Sequence, residues 1–290
     1  MKIPEEKKIR VIIDTDAACE ADDPYAIVQG LLSPKLKVRG ILAEHFNEEG
    51  SVERSFKEIK TILDAMKIEV PYFMGEKNAL SKEYNAEVSE GVDYLIGEAL
   101  SDDGRLYVLC QGAITNVAAA LRKRPEIKNN ITIIWIGTHG SGNVKAPFRE
   151  FNAGNDILAA NEVLSSGADI WLVPSDVYTT INVGLSELEL KVYPYGEIGK
   201  HLYENMIEYN LSPAAGWTKG ESWSLGDSPA IAIALNPDCG KYVYEKAPFI
   251  ADDTSSVYKD DNPVIRVYKN VDSRYILEDF FAKLQLNYPC

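Results

Sequence analysis

Five carboxylates follow a short apolar strand within ten residues, and they are the side chains of this sequence best suited to chemistry. The apolar residues are Val11, Ile12 and Ile13, and the carboxylates are Asp14, Asp16, Glu20, Asp22 and Asp23. Like charges held this close raise one another's pKa unless a cation neutralises them. Carboxylate oxygens suit a hard divalent ion such as calcium or magnesium. The segment therefore predicts a metal site, with a solvated acidic turn as the alternative.

Three later segments also place polar residues where a strand ends or a helix begins. They are Gln111-Gly112-Ala113-Ile114-Thr115-Asn116, Glu150-Phe151-Asn152 and Gly226-Asp227-Ser228. Each has an ordinary structural explanation: a glycine turn, a polar loop and a helix N-cap, for which Asp is among the best residues. The carboxyl ends of parallel strands form the ligand-binding edge of an α/β sheet. We therefore expect these segments to meet the acidic turn there.

The four clusters, in this order, resemble the nucleoside hydrolase family over nearly the whole chain. Members of that family cleave the N-glycosidic bond of ribonucleosides with the help of a metal. The matching residues are Asp14-Thr15-Asp16 with Asp22-Asp23, Gln111 to Asn116, Glu150-Phe151-Asn152 and Gly226-Asp227-Ser228. The resemblance predicts a calcium-dependent N-glycosidase that converts a ribonucleoside or a related riboside to ribose and free base.

Site residues follow from the resemblance, position by position. It implies that a calcium ion binds to the carboxylates of Asp16, Asp23 and Asp227 and to the backbone carbonyl of Gln111. Asp16 would also be the general base that deprotonates the attacking water. Asp22 and Asn152 would hold the 2′ and 3′ hydroxyls of the ribose. Glu150 and Asn143 would take the 5′ hydroxyl, and Asn47 would support the base or the sugar.

Aromatic residues are concentrated between Tyr178 and Trp223, just before Asp227. Aromatic faces can stack on a nucleobase, although core packing or a subunit contact is the ordinary alternative. Trp223 is four residues from Asp227, and we expect it to line the pocket.

Two departures from the family pattern affect the chemistry. Five residues, Ala17 to Ala21, separate Asp16 from Asp22 where the family has three, so Glu20 could share a role with Asp22. Gly226 stands where many purine-cleaving members have a histidine that assists the leaving base. We therefore expect rates to depend on the intrinsic quality of the leaving group.

Strand and helix patterns alternate through the first two thirds of the chain. We predict strands at 11–13, 37–43, 71–74, 106–110, 131–136 and 169–173, and helices at 23–32, 51–66, 86–99, 115–122 and 156–165. A helix at 227–235, strands at 241–250 and 264–271 and a helix at 273–284 follow. This order predicts an α/β fold with a mostly parallel central sheet, helices on both faces and a small antiparallel C-terminal addition.

Composition limits the class of protein and its partners. The 290 residues suit one domain, which we place at 1–290, and the formal charge of −14 disfavours binding to nucleic acid or to anionic membranes. A small nucleoside or riboside is the expected partner, and we expect a homodimer or homotetramer. The four cysteines show no paired spacing and the charged N-terminus does not resemble a signal peptide, so we expect a cytoplasmic protein.

Two other functions remain open from the residues. A strand followed by Asp-x-Asp is also typical of haloacid dehalogenase-type phosphatases, although the second acidic pair follows here after only five residues. The altered turn at 17–21 and Gly226 also allow a metal-dependent nucleoside or sugar binder that has lost turnover.

Overall fold

Strands and helices alternate along most of the chain in the computed structural model, which describes residues 2–83, 87–141 and 146–289. The strands are β1 (Ile9–Thr15), β2 (Leu36–Ala43), β3 (Tyr72–Met74), β4 (Leu106–Cys110), β5 (Ile131–Ile136), β6 (Asp169–Val173), β7 (Asn182–Gly184), β8 (Ser222–Ser224), β9 (Gly240–Lys246), β10 (Pro248–Ile250), β11 (Ser256–Tyr258) and β12 (Val264–Val271). The helices are α1 (Asp23–Leu31), α2 (Ser51–Met66), α3 (Glu90–Leu100), α4 (Thr115–Lys123), α5 (Phe151–Asn155), α6 (Ile157–Ser165), α7 (Ser175–Tyr178), α8 (Leu185–Lys191), α9 (Gly196–Asn210), α10 (Ser228–Leu235) and α11 (Ser273–Asn287).

Eight of these strands form one sheet in the order β3-β2-β1-β4-β5-β6-β12-β9. Neighbouring strands run parallel from β3 to β12, and β9 is antiparallel to β12. The chain builds outward from β1 through β2 to β3 and then returns to place β4 on the other side of β1. Such a reversal of strand order opens a crevice at the carboxyl ends of the strands. The predicted fold class is confirmed.

Both faces of the sheet are covered, and the sequence of β1 shows why. Successive side chains of a strand point to opposite faces, and Val11, Ile12 and Ile13 are all fully buried. Val11 and Ile13 join a core with helices α1, α2, α10 and α11, whereas Ile12 joins a second core with α3, α4 and α6. A continuous apolar run is therefore needed at this central position.

Two predicted elements show the largest differences from the structure. The strand predicted at 241–250 divides at Ala247 into β9, in the main sheet, and β10, which pairs with β11 in a separate ribbon. The helix predicted at 86–99 begins at Glu90, because the side chain of Ser89 accepts a hydrogen bond from Val92 N and caps α3. Position 86 itself lies outside the described residues.

Charged side chains interrupt the longest helices, α2 with 16 residues and α9 and α11 with 15 each. Among the described residues, the helices lack the combination of length and apolar character that crossing a bilayer requires.

Candidate functional site

The acidic turn lies at the carboxyl end of β1, beside the ends of β2 and β4. Backbone hydrogen bonds fix these ends together: Glu44 N donates to Thr15 O, and Gln111 N donates to Asp14 O, both at 2.8 Å. Asp14 and Asp16 are buried. The parallel register of the three strands therefore brings the first two predicted motifs to one place.

Two further carboxylates arrive at the start of two helices. Asp22 is the N-cap residue of α1 and Asp227 is that of α10, and each helix has a proline in its first turn. In the described structure neither side chain accepts a hydrogen bond from its own helix. These carboxylates therefore stand at the positive end of a helix dipole and stay available to another partner.

Asp22, Asp23 and Asp227 converge, with one carboxylate oxygen of each within 4.8 Å of the others. We call these three residues the acidic triad. The sequence predicted Asp16, and not Asp22, as a metal ligand together with Asp23 and Asp227. Asp16 lines the same cavity as the triad. Asp23 also accepts a hydrogen bond from the Thr15 hydroxyl.

Burial raises the pKa of the triad carboxyls and of their neighbours Asp16 and Glu20. It raises the pKa of Asp22 to about 6, that of Asp23 to about 7 and that of Glu20 to about 8. Burial and the neighbouring charges of Asp23 and Glu44 raise the pKa of Asp16 well above its ordinary value. Burial and the charges of Asp23 and Asp22 do the same for Asp227. The cluster therefore resists ionisation in the absence of a cation.

A hard cation fits this donor set. Among the described residues, the Oδ2 atom of Asp16 and the Oε1 atom of Gln111 are buried without a hydrogen-bond partner. Buried polar atoms ordinarily have partners, so these atoms indicate a missing ligand. Carboxylate and amide oxygens are the ligands that calcium and magnesium prefer.

The backbone carbonyl of Gln111, the predicted fourth ligand, is linked to Asn152. Asn152 Nδ2 donates to Gln111 O at 3.1 Å and to Ile136 O at 2.8 Å. Both residues line the cavity. Because two carbonyls hold the amide nitrogen, the Oδ1 atom of Asn152 is the part of its side chain left as an acceptor.

Glu150 begins a helix, whereas the ordinary structural explanation for its segment was a polar loop. It is the N-cap residue of α5 and is fully buried. Its Oε2 atom accepts from Thr138 N at 2.9 Å and Ala153 N at 2.8 Å. Its Oε1 atom accepts from Asn152 N at 3.3 Å and from the Tyr178 hydroxyl at 2.9 Å. Protein donors thus surround the carboxylate that was predicted to meet the 5′ hydroxyl.

Of the remaining two predicted sugar or base contacts, only Asn47 belongs to the part of the chain that the structure describes. Asn47 is in an exposed loop after β2, with a left-handed φ of 58°, and lines a separate cleft with Glu48 and Lys77. This placement does not support its predicted contact with base or sugar. Asn143 lies outside the described residues.

The triad opens into a cavity of about 550 Å³ with an aromatic rim. Phe148, Phe151 and Trp217 line it and remain 44–58% exposed. Trp223, the residue predicted for this role, is buried behind Trp217 with ring centroids 5.2 Å apart. A hydrogen bond from the Trp223 side chain instead acts to lower the pKa of Asp22 against the effect of burial. The prediction for Trp223 was therefore wrong, and Trp217 is the exposed ring.

The ring of Tyr178 lies close to residue 226. A Cβ atom at residue 226 would lie 3.2 Å from Cδ2 of Tyr178 and 3.3 Å from Oδ2 of Asp22. Gly226 N also donates to Asp22 Oδ2 at 2.9 Å. The tyrosine ring thus occupies the space beside this backbone, and a histidine could not enter without moving it.

The two histidines near the sheet edge use both ring nitrogens within the protein. His45 Nδ1 accepts from Asn47 N at 3.1 Å, and Nε2 donates to Thr115 Oγ1 at 2.8 Å. Burial lowers the pKa of His45 to about 4. His139 bonds to Ser175 Oγ at 2.7 Å and to Phe148 O at 2.9 Å. Both rings therefore have structural roles.

Sequence reasoning missed Glu44 and the role of Tyr178. Glu44 is fully buried at the end of β2, and a Cβ at Gly112 would lie 2.8 Å from its Oε2 atom and 3.1 Å from Cγ of Asp16. A carboxylate directly after a buried strand was a signal for Glu44. Tyr178 follows β6 by one short helix, where the sequence shows one tyrosine among many.

Comparisons with known proteins identify the family. The family model of inosine-uridine preferring nucleoside hydrolases matches residues 11–277. The pyrimidine-specific ribonucleoside hydrolase RihB of Escherichia coli K12 is 23% identical over 261 residues, which cover 80% of each protein. A family match over this span is inconsistent with the haloacid dehalogenase alternative.

Solved structures show the same fold. A plant nucleoside hydrolase, PpNRh1, superimposes with a TM-score of 0.79 at 20% identity, covering 95% of this chain and 98% of that one. A purine-preferring ribonucleoside hydrolase from Gardnerella vaginalis gives 0.79 at 24% identity, covering 96% and 98%. The chain therefore belongs to the inosine-uridine preferring nucleoside hydrolase family, whose members are metal-dependent N-glycosidases.

Proposed function

We propose that this protein uses calcium to hydrolyse the N-glycosidic bond of a ribonucleoside or a related riboside, releasing ribose and the free base. The observation that carries the proposal is the convergence of Asp22, Asp23 and Asp227 next to Asp16 in one cavity. Cleavage of this bond builds positive charge on the ribose ring. A cavity lined by carboxylates stabilises that charge.

The acidic triad and Asp16 would hold the calcium ion, with the Gln111 carbonyl as a further ligand. When bound, calcium lowers the pKa of a neighbouring water molecule and fixes the sugar diol. The all-oxygen donor set favours calcium or magnesium over softer metals, and larger coordination numbers favour calcium where many oxygens converge.

Asp16 is the proposed general base. A carboxylate has two oxygen atoms, so Asp16 can contact calcium through one of them and accept the proton of the attacking water through the other. Asp22 and the Oδ1 atom of Asn152 are proposed to accept hydrogen bonds from the 2′ and 3′ hydroxyls. The two carbonyls that hold Asn152 Nδ2 orient this amide before the substrate arrives.

The leaving group is proposed to lie against the aromatic rim of Phe148, Phe151 and Trp217. Their exposed faces suit stacking with a range of bases. The ring nitrogens of His45 and His139 are engaged by protein partners, so we expect little protonation of the leaving base by histidine.

The domain organisation, the oligomeric state and the cellular location complete the proposal. We propose one domain at 1–290, which is supported by the joining of strands from both ends of the chain in the main sheet. A homodimer or homotetramer and a cytoplasmic location remain our predictions from the sequence.

A riboside panel tests the function. With calcium present, p-nitrophenyl riboside should be cleaved much faster than inosine or uridine, because nitrophenolate leaves without protonation. The rate should show no alkaline loss near pH ~6.5, where an unperturbed histidine titrates. Release of ribose is measured by a reducing-sugar assay. If ribose binds but no riboside is cleaved, the protein is a metal-dependent sugar binder instead.

A further inference from the structure

The side chain of Gln111 lies on the face of the sheet that carries the acidic triad. Gln111 directly follows β4, and its N atom donates to Asp14 O at 2.8 Å, so the parallel ladder continues past the strand. Leu109 packs in the core that contains α1 and α10, and the alternation of side chains puts Gln111 on the same face. Helix α10 packs on β4 and begins after its cap, Asp227. The Gln111 side chain therefore lines the cavity beside the triad.

Both polar atoms of this side chain lack a protein partner. Gln111 is 1% exposed, and in the described part of the chain neither Oε1 nor Nε2 makes a hydrogen bond. The buried amide of Gln29 differs, because its Nε2 atom donates to Asp279 Oδ2 at 2.9 Å. An unpaired buried amide destabilises the folded state. We therefore expect the Gln111 amide to serve a ligand rather than the packing of the core.

The groups around this amide favour a cation as that ligand. Asp16 and the acidic triad line the same cavity, and all of them offer carboxylate oxygens. An amide oxygen can join carboxylates around one hard cation. The backbone carbonyl of Gln111 already accepts from Asn152 Nδ2 at 3.1 Å, whereas Oε1 has no such partner in the described structure. The side-chain oxygen is thus the less occupied acceptor of this residue.

The number of oxygens bears on which ion binds. Calcium accepts roughly six to eight oxygen ligands, whereas magnesium needs a near-ideal octahedron of about six and usually keeps several waters. The carboxylates of Asp16 and the triad, with the carbonyl and Oε1 of Gln111, would fill an octahedron before the sugar diol binds. A set this large favours calcium.

We propose that Oε1 of Gln111 is a calcium ligand and that it favours calcium over magnesium. The inference rests on the proposed function, whose calcium site it extends. The ligand set expected from the sequence took only the backbone carbonyl from this residue. A neutral oxygen raises the coordination number without adding charge to the buried carboxylates.

Two substitutions of Gln111 test the proposal by isothermal titration after chelation. Gln111→Met keeps the length of the side chain and removes both polar atoms. It should raise the Kd for calcium about tenfold and the Kd for magnesium less than about twofold, because magnesium keeps water in that position. Gln111→Glu keeps an oxygen and removes the N–H donor, so it should bind calcium at least as tightly as the wild type. If Gln111 instead acted by donating to a triad carboxylate, both variants would lose affinity.

Thermal unfolding separates a ligand from a structural residue. With a chelator present, Gln111→Met should have a Tm no lower than that of the wild type, because two unpaired polar atoms are replaced by an apolar group. The rise in Tm on adding calcium should be smaller in Gln111→Met. A structural role predicts the reverse: a lower Tm in chelator and an unchanged Kd for calcium.

Gln285→Met and Gln285→Glu are the matched controls. Gln285 lies in α11, and its Nε2 atom donates to Lys191 O at 3.2 Å. These variants make the same chemical changes away from the cavity, and their calcium affinity should equal that of the wild type. A similar gain in Gln111→Glu and Gln285→Glu would show that net charge alone is responsible, and would overturn the proposal.

Three results for Gln111→Met also overturn it: an unchanged Kd for calcium, an equal loss for both ions, or the structural pattern in Tm. The binding data are independent of turnover. If the wild type cleaves no riboside and Gln111→Met still shows the expected loss, the proposed hydrolysis is wrong and the role of Gln111 stands. If the wild type cleaves ribosides and Gln111→Met binds calcium normally, the hydrolysis stands and the role of Gln111 is wrong.

Discussion

At the scale of single residues, Asp22 and Asp227 combine two roles that the sequence alone cannot separate. Each occupies an N-cap position, for which Asp is a preferred residue. In the described structure their carboxylates leave the cap bond unmade and turn to each other and to Asp23. Three buried carboxylates this close are stable together only if protons or a cation neutralise them.

Removing one triad carboxylate should weaken calcium binding. We expect Asp227→Ala to raise the Kd for calcium by at least about tenfold, because affinity follows the number of charged oxygen ligands. Isothermal titration with calcium after chelation measures it. Asp238→Ala, at an exposed position beyond the end of α10, is the control. Unchanged affinity in Asp227→Ala would show that the ion binds elsewhere.

Replacing the proposed base should remove turnover and keep the fold. Asp16→Asn should lower kcat with p-nitrophenyl riboside by about 10²–10⁴-fold, the usual contribution of general-base catalysis. Asp64→Asn makes the same chemical change at an exposed side chain that pairs with Lys60, and it should retain full activity. If Asp16→Asn keeps its kcat, Glu20, which also lines the cavity, is the next candidate for the base.

At the scale of elements, the site depends on where helices begin and how they pack. Helices α1 and α10 start at the same end of the sheet and pack on the same face, so their first residues meet. Helix α2 packs against α9, which lies within the aromatic-rich stretch between Tyr178 and Trp223. One ion pair joins these two helices: His201 Nε2 in α9 lies 2.6 Å from Glu58 Oε1 in α2.

This pair should make stability fall as the pH rises. The hydrogen bond with Glu58 raises the pKa of His201 above its ordinary value. The folded state then binds the proton more tightly than the unfolded state. The contribution, about 0.5–1 kcal/mol for a partly buried pair, is complete below pH ~6.5 and is lost as the pH passes the folded-state pKa.

Urea unfolding of the wild type and of His201→Gln between pH 5.5 and 8.5 measures the effect. The difference between the two free energies of unfolding should shrink as the pH rises. A difference that stays constant over this range would show that the imidazolium contributes nothing, and that packing alone explains the cost of the substitution.

At the scale of the whole molecule, the formal charge of −14 adds to the free-energy cost of ionising the buried carboxyl groups. Burial raises the pKa of Asp22 to about 6, of Asp23 to about 7 and of Glu20 to about 8. In the unfolded chain these groups titrate near pH ~4. Between pH ~4 and the folded-state pKa values, the folded, metal-free protein therefore binds more protons than the unfolded chain. Its stability falls as the pH rises through this range.

Calcium should reverse this loss. We expect the Tm of chelated protein to fall between pH 5 and pH 8, and calcium to raise the Tm more at pH 8, where fewer protons compete for the carboxylates. Differential scanning fluorimetry with a chelator or with calcium measures both effects. An equal calcium-induced shift at the two pH values would indicate binding away from these carboxyls.

The sequence by itself determined the alternation of elements and the edge of the sheet that carries the chemistry. Apolar runs and helical spacing located α2, β4, β5, β6 and β12 at their observed bounds, because hydrogen bonding and burial in these segments follow local patterns. The motifs also placed acidic residues after β1 and at the start of α10, where the structure has them.

Only the tertiary structure decided which side chains meet. Asp22 and Asp227 are far apart in the chain, and their convergence depends on how α1 and α10 pack. The same holds for the hydrogen bonds that protein donors make to Glu150, for the close approach of Tyr178 to Gly226, and for the burial of Trp223 behind Trp217. Sequence spacing describes neighbours along the chain, whereas side-chain access to a cavity depends on residues that only the folded chain brings together.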